Sequence, residues 1–295
     1  MLSALLAFSA GGEAASDGKT LYEKNSLYQY IAVKEDLEKG ERYIFNNRKD
    51  LVQGGIYLGR PDKLLFEYTQ TAFISLAFLD REPRSVLFVG LGAGSMPRYL
   101  NRYYPQAEID VVEIDPDIVD VAKRFFYFTE NSRMKVHVED GRVFIKRASK
   151  KYDVIFLDAY QSGDIPFHLT TIEFLKEVKG KLKEGGLVVS NILSPFRNKF
   201  FDSMVATFDR AFSHFFIFKG RKANNFIFVG TDSGLIKDRE GLAVRAQNIQ
   251  RSKKLDIDLS GISWYCEHCA EYRTNAKVLT DDFAPVNLYQ HMKTK

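Results

Sequence analysis

Four short segments place glycines and carboxylates directly after apolar runs, where they could bind and activate a small molecule. They are Gly90, Gly92 and Gly94, then Glu113, then Asp140 with Gly141, and finally Asp158. Glycines let a backbone approach a ligand closely. Carboxylates accept hydrogen bonds from hydroxyl and amino groups, and a well-placed carboxylate can take up a proton. The set indicates a nucleoside-like ligand bound beside a general base.

Each carboxylate has a role that its position suggests. Glu113 can accept both hydroxyls of a ribose, while Asp140 can accept from an adenine amino group and Gly141 leaves room for the ring. Asp158 can accept a proton from an attacking amine or orient that amine. Simple alternatives are a surface acid at Glu113 and an N-cap at Asp158. The dinucleotide fingerprint requires glycine where this chain has Ser95, which disfavours a nicotinamide dinucleotide site.

Alternating strands and helices must position these segments. From Arg84 onward, apolar runs of strand length alternate with helical patterns, which favours a doubly wound α/β domain with a mostly parallel sheet. Ligands of such sheets bind beyond the carboxyl ends of the strands, where the four segments fall. The predicted strands are 85–90, 108–114, 134–138, 152–157, 187–190, 214–219 and 225–230; the predicted helices are 96–104, 116–126, one ending near 148, 170–182 and 200–212.

The N-terminal part has a different pattern. Residues 27–33 and 42–45 have strand composition, and 64–79 carry apolar residues at helical spacing, which predicts a β-rich region with a linking helix over 21–80. The α/β domain then covers 81–295. Residues 1–20 begin with a short apolar run and continue with small residues, which indicates a disordered tail or a signal-like segment.

Composition restricts the class of protein. The chain has 295 residues, 45% of them hydrophobic, and a net charge of +4, so it can form a large core and lacks the charge expected of a nucleic-acid partner. No apolar run reaches the ~20 residues of a membrane span. Cys266 and Cys269 enclose His268, too few ligands for a structural zinc site, so we predict no metal and either two thiols or a local disulfide.

The motifs between Val86 and Ile192 resemble those of the spermidine synthases, the polyamine aminopropyltransferases. The glycine spacing is similar to that of adenosylmethionine-dependent transferases, and the segments around Glu113, Asp140 and Asp158 match the family's nucleoside-binding and catalytic motifs. The resemblance extends to residues 26–31 and to 279–285. It implies a Rossmann-like class I methyltransferase fold, S-adenosylmethionine or its decarboxylated form as group donor, a small amine as acceptor, and a homodimer.

The same resemblance implies roles for individual residues. Asp158 and Tyr68 become catalytic, and acceptor contacts fall to Tyr68, Gln70, Tyr160 and Gln161. The donor would be bound by Gln29, Gly90, Gly92, Gly94, Glu113, Asp140, Gly141 and Asp158.

The chain departs from the family at the acids that bind polyamine cations. Ala93 stands where the family has the aspartate that receives the donor's amino group, and Gln70 and Gln161 replace two further acids. Because a buried cation without a paired carboxylate is costly, diamine binding should be weakened. The expected function is therefore an aminopropyltransferase-like enzyme that uses putrescine inefficiently.

Two other functions stay open at this point. Loss of the aspartate at Ala93 leaves room for a methionine carboxylate, which favours a methyltransferase that uses intact S-adenosylmethionine. A catalytically inert nucleoside-binding module is the third reading, against which Asp158 argues. A cytosolic donor favours a cytoplasmic protein, whereas the N-terminal apolar run favours export.

Overall fold

The computed structural model describes residues 18–46, 52–159, 165–219, 225–236, 238–259 and 276–283, together with the backbone of 265–267. These residues form a small antiparallel sheet followed by a large, mostly parallel sheet. The signal-like run at 1–10 and Cys269 lie outside the described residues. Cys266 lies in a short strand described below. Within the described ranges, no helix combines the length and apolarity needed to cross a membrane.

The N-terminal sheet has four strands in the order β1-β2-β3-β4, where the sequence predicted two. Its strands are β1 Lys19–Asn25, β2 Tyr30–Asp36, β3 Glu41–Asn46 and β4 Val52–Tyr57. Side chains alternate between the two faces of a strand. Ile31 and Val33 join the main core, while Ala32 packs with Tyr43 and Phe45 on the opposite face. The first face therefore attaches this sheet to the rest of the molecule.

The predicted helix over 64–79 is wrong in its extent. The α-helix α1 covers only Glu67–Ala72, and a 3₁₀ helix follows over Phe73–Phe78. Hydroxyls compete for the helix carbonyls: Thr71 Oγ1 donates to Glu67 O at 2.9 Å and Ser75 Oγ to Ala72 O at 2.6 Å. Such bonds weaken a regular helix. Every residue of the 3₁₀ helix is buried, so packing determines its path.

The large sheet confirms the predicted α/β fold. Its eight strands lie in the order β12-β10-β11-β9-β8-β5-β6-β7. The five strands from β9 to β7 are parallel to one another, whereas β11, β10 and β12 pair antiparallel. The strands are β5 Ser85–Val89, β6 Glu108–Glu113, β7 Met134–Val138, β8 Tyr152–Leu157, β9 Leu182–Leu193, β10 His214–Lys219, β11 Asn225–Thr231 and β12 Tyr265–Glu267.

Helices cover both faces of this sheet. One face packs against α2, α3, α7 and the N-terminal sheet, and the other against α4, α5 and α6. In β5, Val86 and Phe88 point to the first core and Leu87 and Val89 to the second, as a strand buried on both faces requires. The helices are α2 Ser95–Tyr103, α3 Pro116–Phe125, α4 Gly141–Arg147, α5 Ile172–Gly180, α6 Phe201–Ala211 and α7 Arg239–Lys253.

The sequence predicts a helix over 170–182, and Gly185 and Gly186 after it are typical of a helix stop, but these glycines do not end the helix. The helix ends at Gly180, and β9 begins at Leu182, so Gly185 and Gly186 lie inside a strand. Gly185 has φ +72°, and the pairing of β8 with β9 shifts register at this end. A Cβ on Gly186 would lie 2.9 Å from Lys183 O. The glycines therefore form an irregularity that lets β9 join the sheet early.

The segment at 279–283 is fixed to the α/β domain by one arginine. Arg142 is 8% exposed and donates to both carboxylate oxygens of Asp281 at 2.7 Å and to those of Glu177 at 2.8 and 2.9 Å. Thr171 Oγ1 also donates to Asp281. The guanidinium of Arg142 lowers the pKa of Asp281 to about 2. This segment therefore connects the first turn of α4 to α5.

We expect Asp281→Asn to destabilise the protein at neutral pH by about 1 kcal/mol, a modest value because the Asp281 side chain is 44% exposed. A lowered carboxyl pKa contributes stability above the unfolded-state value of about 3.9 and loses it as the pH falls towards the folded-state value. The wild-type advantage should thus shrink between about pH 5 and 2. Urea unfolding measures this difference in unfolding free energy, with Asp282→Asn at the exposed neighbour as control. A difference that does not change with pH would contradict the ion pair.

Candidate functional site

The predicted residues Gly90, Glu113, Asp140 and Asp158 lie at the carboxyl ends of four neighbouring parallel strands, β5 to β8. β5 has β6 on one side and β8 on the other, so the chain leaves the sheet in opposite directions at this point. Such a switch point opens a crevice in doubly wound sheets. Gly90 N donates to Val112 O at 2.8 Å, and Asp158 N donates to Val89 O at 2.9 Å. The first bond joins the end of β5 to β6, and the second joins the chain after β8 to β5.

The glycine loop after β5 depends on its first residue. Gly90 has φ +102°, a conformation that favours glycine. A Cβ at this position would lie 2.3 Å from Asp158 O, closer than any side chain allows. Gly94 also has positive φ and precedes the first turn of α2. The loop therefore leaves that helix end open and passes directly beside the backbone of Asp158.

Glu113 closes the other side of this loop. Its Oε2 accepts from Leu91 N at 3.0 Å, and its Oε1 accepts from Asp115 N at 3.1 Å. Burial raises the pKa of Glu113, and the two backbone donors oppose that rise. Each carboxylate oxygen has a second lone pair. Glu113 thus holds the loop in place and retains acceptor capacity for ligand hydroxyls.

Asp140 begins α4 and faces a histidine that the sequence did not indicate. Its Oδ1 accepts from Val143 N at 2.9 Å, and its Oδ2 lies 2.9 Å from His168 Nε2. A Cβ on Gly141 would lie 2.5 Å from Val89 Cγ1, so a larger residue would not fit beside β5. Part of the acceptor capacity expected for an adenine amino group is therefore shared with His168.

Asp158 has a carboxyl group whose pKa is strongly raised. Its Oδ1 accepts from Asn191 Nδ2 at 2.8 Å, and Tyr68 hydrogen-bonds the same carboxylate. Burial raises the pKa of Asp158 to about 7, and both hydrogen bonds oppose the rise. Part of the residue remains accessible from the crevice. A carboxylate with a pKa near neutrality can accept and release protons under physiological conditions.

The loop between β1 and β2 brings Gln29 to this end of the sheet. Ser26 Oγ donates to Asp115 Oδ2 at 2.5 Å, and Ser26 N donates to Gln29 O at 2.9 Å. Gln29 Oε1 accepts from Asn46 Nδ2 at 3.0 Å. The N-terminal sheet is thereby attached close to the strand that ends at Glu113.

The predicted acceptor residues are only partly described. Gln70 Nε2 donates to Leu64 O at 3.0 Å, so its donor group is bound to its own segment. Tyr160 and Gln161 lie outside the described residues. Ala93 is 4% exposed. A Cβ built on Gly54 of β4 would lie 3.1 Å from the Cβ of Ala93. The N-terminal sheet therefore covers the position where the family aspartate would stand.

Two polar residues contact predicted site residues without having been predicted: His168 lies beside Asp140, and Asn191 beside Asp158. A third, Asn225, donates to Asn191 Oδ1 at 2.8 Å. Asn191 interrupts the apolar second half of β9, and this polar interruption was its one available signal. The described residues hold no cluster of three or more His, Cys, Asp or Glu side chains that could bind a metal ion.

Comparison with known proteins connects this geometry to a family of transferases. The model of the spermine/spermidine synthase domain matches residues 66–218. A polyamine aminopropyltransferase from Vibrio vulnificus is 33% identical over 294 residues, covering 98% of this chain and 97% of that protein.

Two solved structures share the fold. The crystal structure of human methyltransferase-like protein 13 in complex with SAH has a TM-score of 0.60 and 28% identity, covering 65% of this chain and 94% of that one. A spermidine synthase in complex with the transition-state analogue AdoDATO has a TM-score of 0.69 and 16% identity, covering 83% of this chain and 84% of that one. The fold thus occurs both in a methyltransferase-like protein and in a spermidine synthase.

We expect Asp158→Asn to change how stability depends on pH. A carboxyl group with a raised folded-state pKa binds its proton more tightly when folded, so wild-type stability falls as the pH rises from about 4 to 7. Asparagine removes that fall. The variant should gain roughly 2–4 kcal/mol relative to wild type across this interval, measured by urea unfolding. Asp120→Asn, at an exposed carboxylate of α3, is the control; parallel curves for Asp158→Asn and wild type would contradict the raised pKa.

Proposed function

The chain belongs to the spermine/spermidine synthase family, and from this premise we propose that it transfers an aminopropyl or related group from an adenosyl sulfonium donor to an amine. Asp158 serves as general base. One observation carries the proposal: burial raises the pKa of Asp158 to about 7 at the end of β8, where the backbone of this residue lies against Gly90 of the glycine loop.

The proposed reaction is an in-line displacement at carbon. The amine nitrogen forms a bond to the carbon attached to the sulfonium, and the carbon–sulfur bond breaks with its electron pair going to sulfur. The neutral thioether methylthioadenosine then leaves. A protonated amine cannot attack, because its lone pair is occupied. Asp158 takes up the proton and aligns the nitrogen, and the nearby sulfonium charge would lower the pKa of Asp158 and favour the ionised form.

The nucleoside half of the donor would lie across the ends of β6 and β7. Glu113 would accept from the ribose hydroxyls with the lone pairs left by Leu91 and Asp115. Asp140 would accept from the adenine amino group, and Gly141 lets α4 begin directly against Val89, where a Cβ would clash. Gln29, Gly90, Gly92 and Gly94 complete the proposed donor site.

The acceptor half differs from a site built for dications. Tyr68, Gln70, Tyr160 and Gln161 are the proposed acceptor residues. Around Asp158 the described hydrogen-bond partners are the neutral groups of Tyr68 and Asn191. Gln70 and Gln161 stand where the resemblance implies acids, so the proposed site has fewer anions for the far end of a diamine. We therefore propose an amine other than putrescine as the preferred acceptor.

Methyl transfer from intact S-adenosylmethionine is the second candidate. The structural likeness to human methyltransferase-like protein 13, solved with SAH, supports it, as does the absence of the aspartate at Ala93. Burial of Ala93 beneath the N-terminal sheet weakens the second argument, because the space for a methionine carboxylate would have to come from elsewhere. A catalytically inert nucleoside-binding module would not require the raised pKa of Asp158.

The family relationship also supports a homodimer, and a cytosolic metabolite as donor supports a cytoplasmic site of action. Light scattering of the purified chain tests the first proposal. The alternative of export rests on residues 1–10, which lie outside the described residues.

Identification of the nucleoside product tests the proposed reaction. With decarboxylated S-adenosylmethionine and a panel of amines we expect methylthioadenosine, whereas adenosylhomocysteine formed from S-adenosylmethionine would establish methyl transfer instead. Putrescine should give a kcat/KM at least about 10²-fold below that of a family enzyme with all its acids. Gln161→Asp should raise that value about tenfold by restoring one charged contact. Efficient spermidine formation at micromolar putrescine would contradict the proposed acceptor site.

Two variants should separate binding from chemistry. Asp158→Asn keeps the size of the side chain and loses its basicity, so methylthioadenosine affinity should stay within a few fold while the single-turnover rate falls by about 10²–10⁴. Glu113→Ala should weaken methylthioadenosine binding by roughly 2 kcal/mol, the scale of a lost charged acceptor. Calorimetry measures the affinity for methylthioadenosine, and rapid-quench kinetics measures the single-turnover rate. An unchanged rate in Asp158→Asn would remove this residue from the mechanism.

A further inference from the structure

Two asparagines form a chain of hydrogen bonds that ends on Asp158. Asn191 lies near the end of β9, and Asn225 is the first residue of β11. In the antiparallel pairing of these strands, Asn225 faces Leu193 and Ile227 faces Asn191, so the two amides are diagonal neighbours on one face of the sheet. Asn225 Nδ2 donates to Asn191 Oδ1 at 2.8 Å, and Asn191 Nδ2 donates to Asp158 Oδ1 at 2.8 Å.

The chemistry of the amide gives this chain a direction. An ionised carboxylate only accepts hydrogen bonds, so Asn191 has to turn its Nδ2 towards Asp158 and its Oδ1 away. The outward oxygen then needs a donor, because Asn191 is 6% exposed and has little water beside it. Asn225 supplies that donor. Without it, the two orientations of the Asn191 amide would differ less in energy.

We propose that Asn191 and Asn225 are positioning residues for the transfer reaction, in which Asn225 holds the Asn191 amide with its Nδ2 towards Asp158 and thereby favours the ionised carboxylate. The inference rests on the proposed function for the role of Asp158 as base. The orientation of Asn191 can nevertheless be tested without turnover.

The surroundings of Asp158 make this orientation matter. Tyr68 from α1 and Asn191 from β9 are the side chains that act on its charge state, and the loop at Gly90 contributes backbone alone. Among the described residues, no charged side chain contributes to the shift. The balance between burial, which favours the protonated acid, and a few neutral donors therefore sets the proton affinity. Reversal of one amide dipole would shift that balance.

A purely structural role makes a different prediction. If the Asn191–Asn225 pair only joins the ends of β9 and β11, substitutions at Asn225 lower overall stability and leave the titration of Asp158 where it was. The decisive readout is therefore the pH at which Asp158 titrates.

Two substitutions at Asn225 test the proposal. Asn225→Leu removes the donor without adding charge. Asn225→Asp keeps the shape, but its carboxylate can only accept, so the Asn191 amide should reverse and present its oxygen to Asp158. We expect the acidic limb of the kcat/KM profile to move up by about half a pH unit in Asn225→Leu and by about one unit in Asn225→Asp. Asn131→Asp, the same exchange in an exposed amide that bonds Asn101, should leave the profile unchanged.

A second measurement separates this proposal from the proposed function. The difference in unfolding free energy between each Asn225 variant and the same variant carrying Asp158→Asn is followed from pH 4 to 9. This difference changes with pH up to the folded-state pKa of Asp158 and then levels off. We call the pH at which its slope has fallen to half the midpoint, and this midpoint should shift upward as the kinetic limb does. If no donor supports turnover, the proposed function fails while this midpoint still decides the role of Asn225.

Three outcomes would overturn the proposal. The first is a midpoint that stays at the wild-type pH in both Asn225 variants. The second is a shift in Asn225→Asp alone, because the added charge would then account for it. The third is a stability midpoint that moves while the acidic limb of turnover does not, which would show that Asn225 acts on Asp158 without affecting the reaction.

Discussion

A carboxylate has to be kept largely out of water at the point where two neighbouring parallel strands end, and the surrounding structure depends on this requirement. The backbone of Asp158 lies against Gly90, where a Cβ would come within 2.3 Å of the Asp158 carbonyl oxygen. The glycine loop can therefore adopt its path only because position 90 lacks a side chain. Burial raises the pKa of Asp158 to about 7, while neutral hydrogen-bond donors stabilise the ionised carboxylate and oppose that rise.

The polar groups around Asp158 suggest how a family site can change its acceptor while keeping its donor. Glu113 and Asp140 each make backbone contacts that fix their own loops, so the proposed nucleoside side of the crevice is held by the fold itself. On the proposed acceptor side, Gln70 and Gln161 carry amides where the resemblance to the spermidine synthases implies acids. Amides can orient a polar acceptor without attracting a dication strongly. Under the proposed function, such a change would keep the reaction chemistry and alter the charge of the preferred acceptor.

Much of the fold followed from the sequence, because local patterns encode it. The strands that end at Val89, Glu113, Val138 and Leu157 are apolar runs with a predicted site residue at or just after each end, and their parallel order places those ends together. Patterns failed where tertiary packing decides. The run at 73–78 became a 3₁₀ helix in the core.

Long-range contacts explain the other differences between sequence and structure. Gly185, which resembles a helix stop, lies inside a strand because β9 joins its neighbour early. His168 and Asn225 reach the site through contacts with residues 28 and 34 positions away, and no local pattern marks them.

Under the proposed function, this crevice binds an adenosyl nucleoside with its sulfur beside Asp158. A crystal structure of the chain soaked with methylthioadenosine would show this binding. We expect density for the nucleoside with its ribose hydroxyls within hydrogen-bond distance of Glu113, its adenine amino group at Asp140 and its thioether next to Asp158. Crystals soaked at saturating concentration that leave this crevice filled with water alone, or that hold the nucleoside elsewhere, would contradict it.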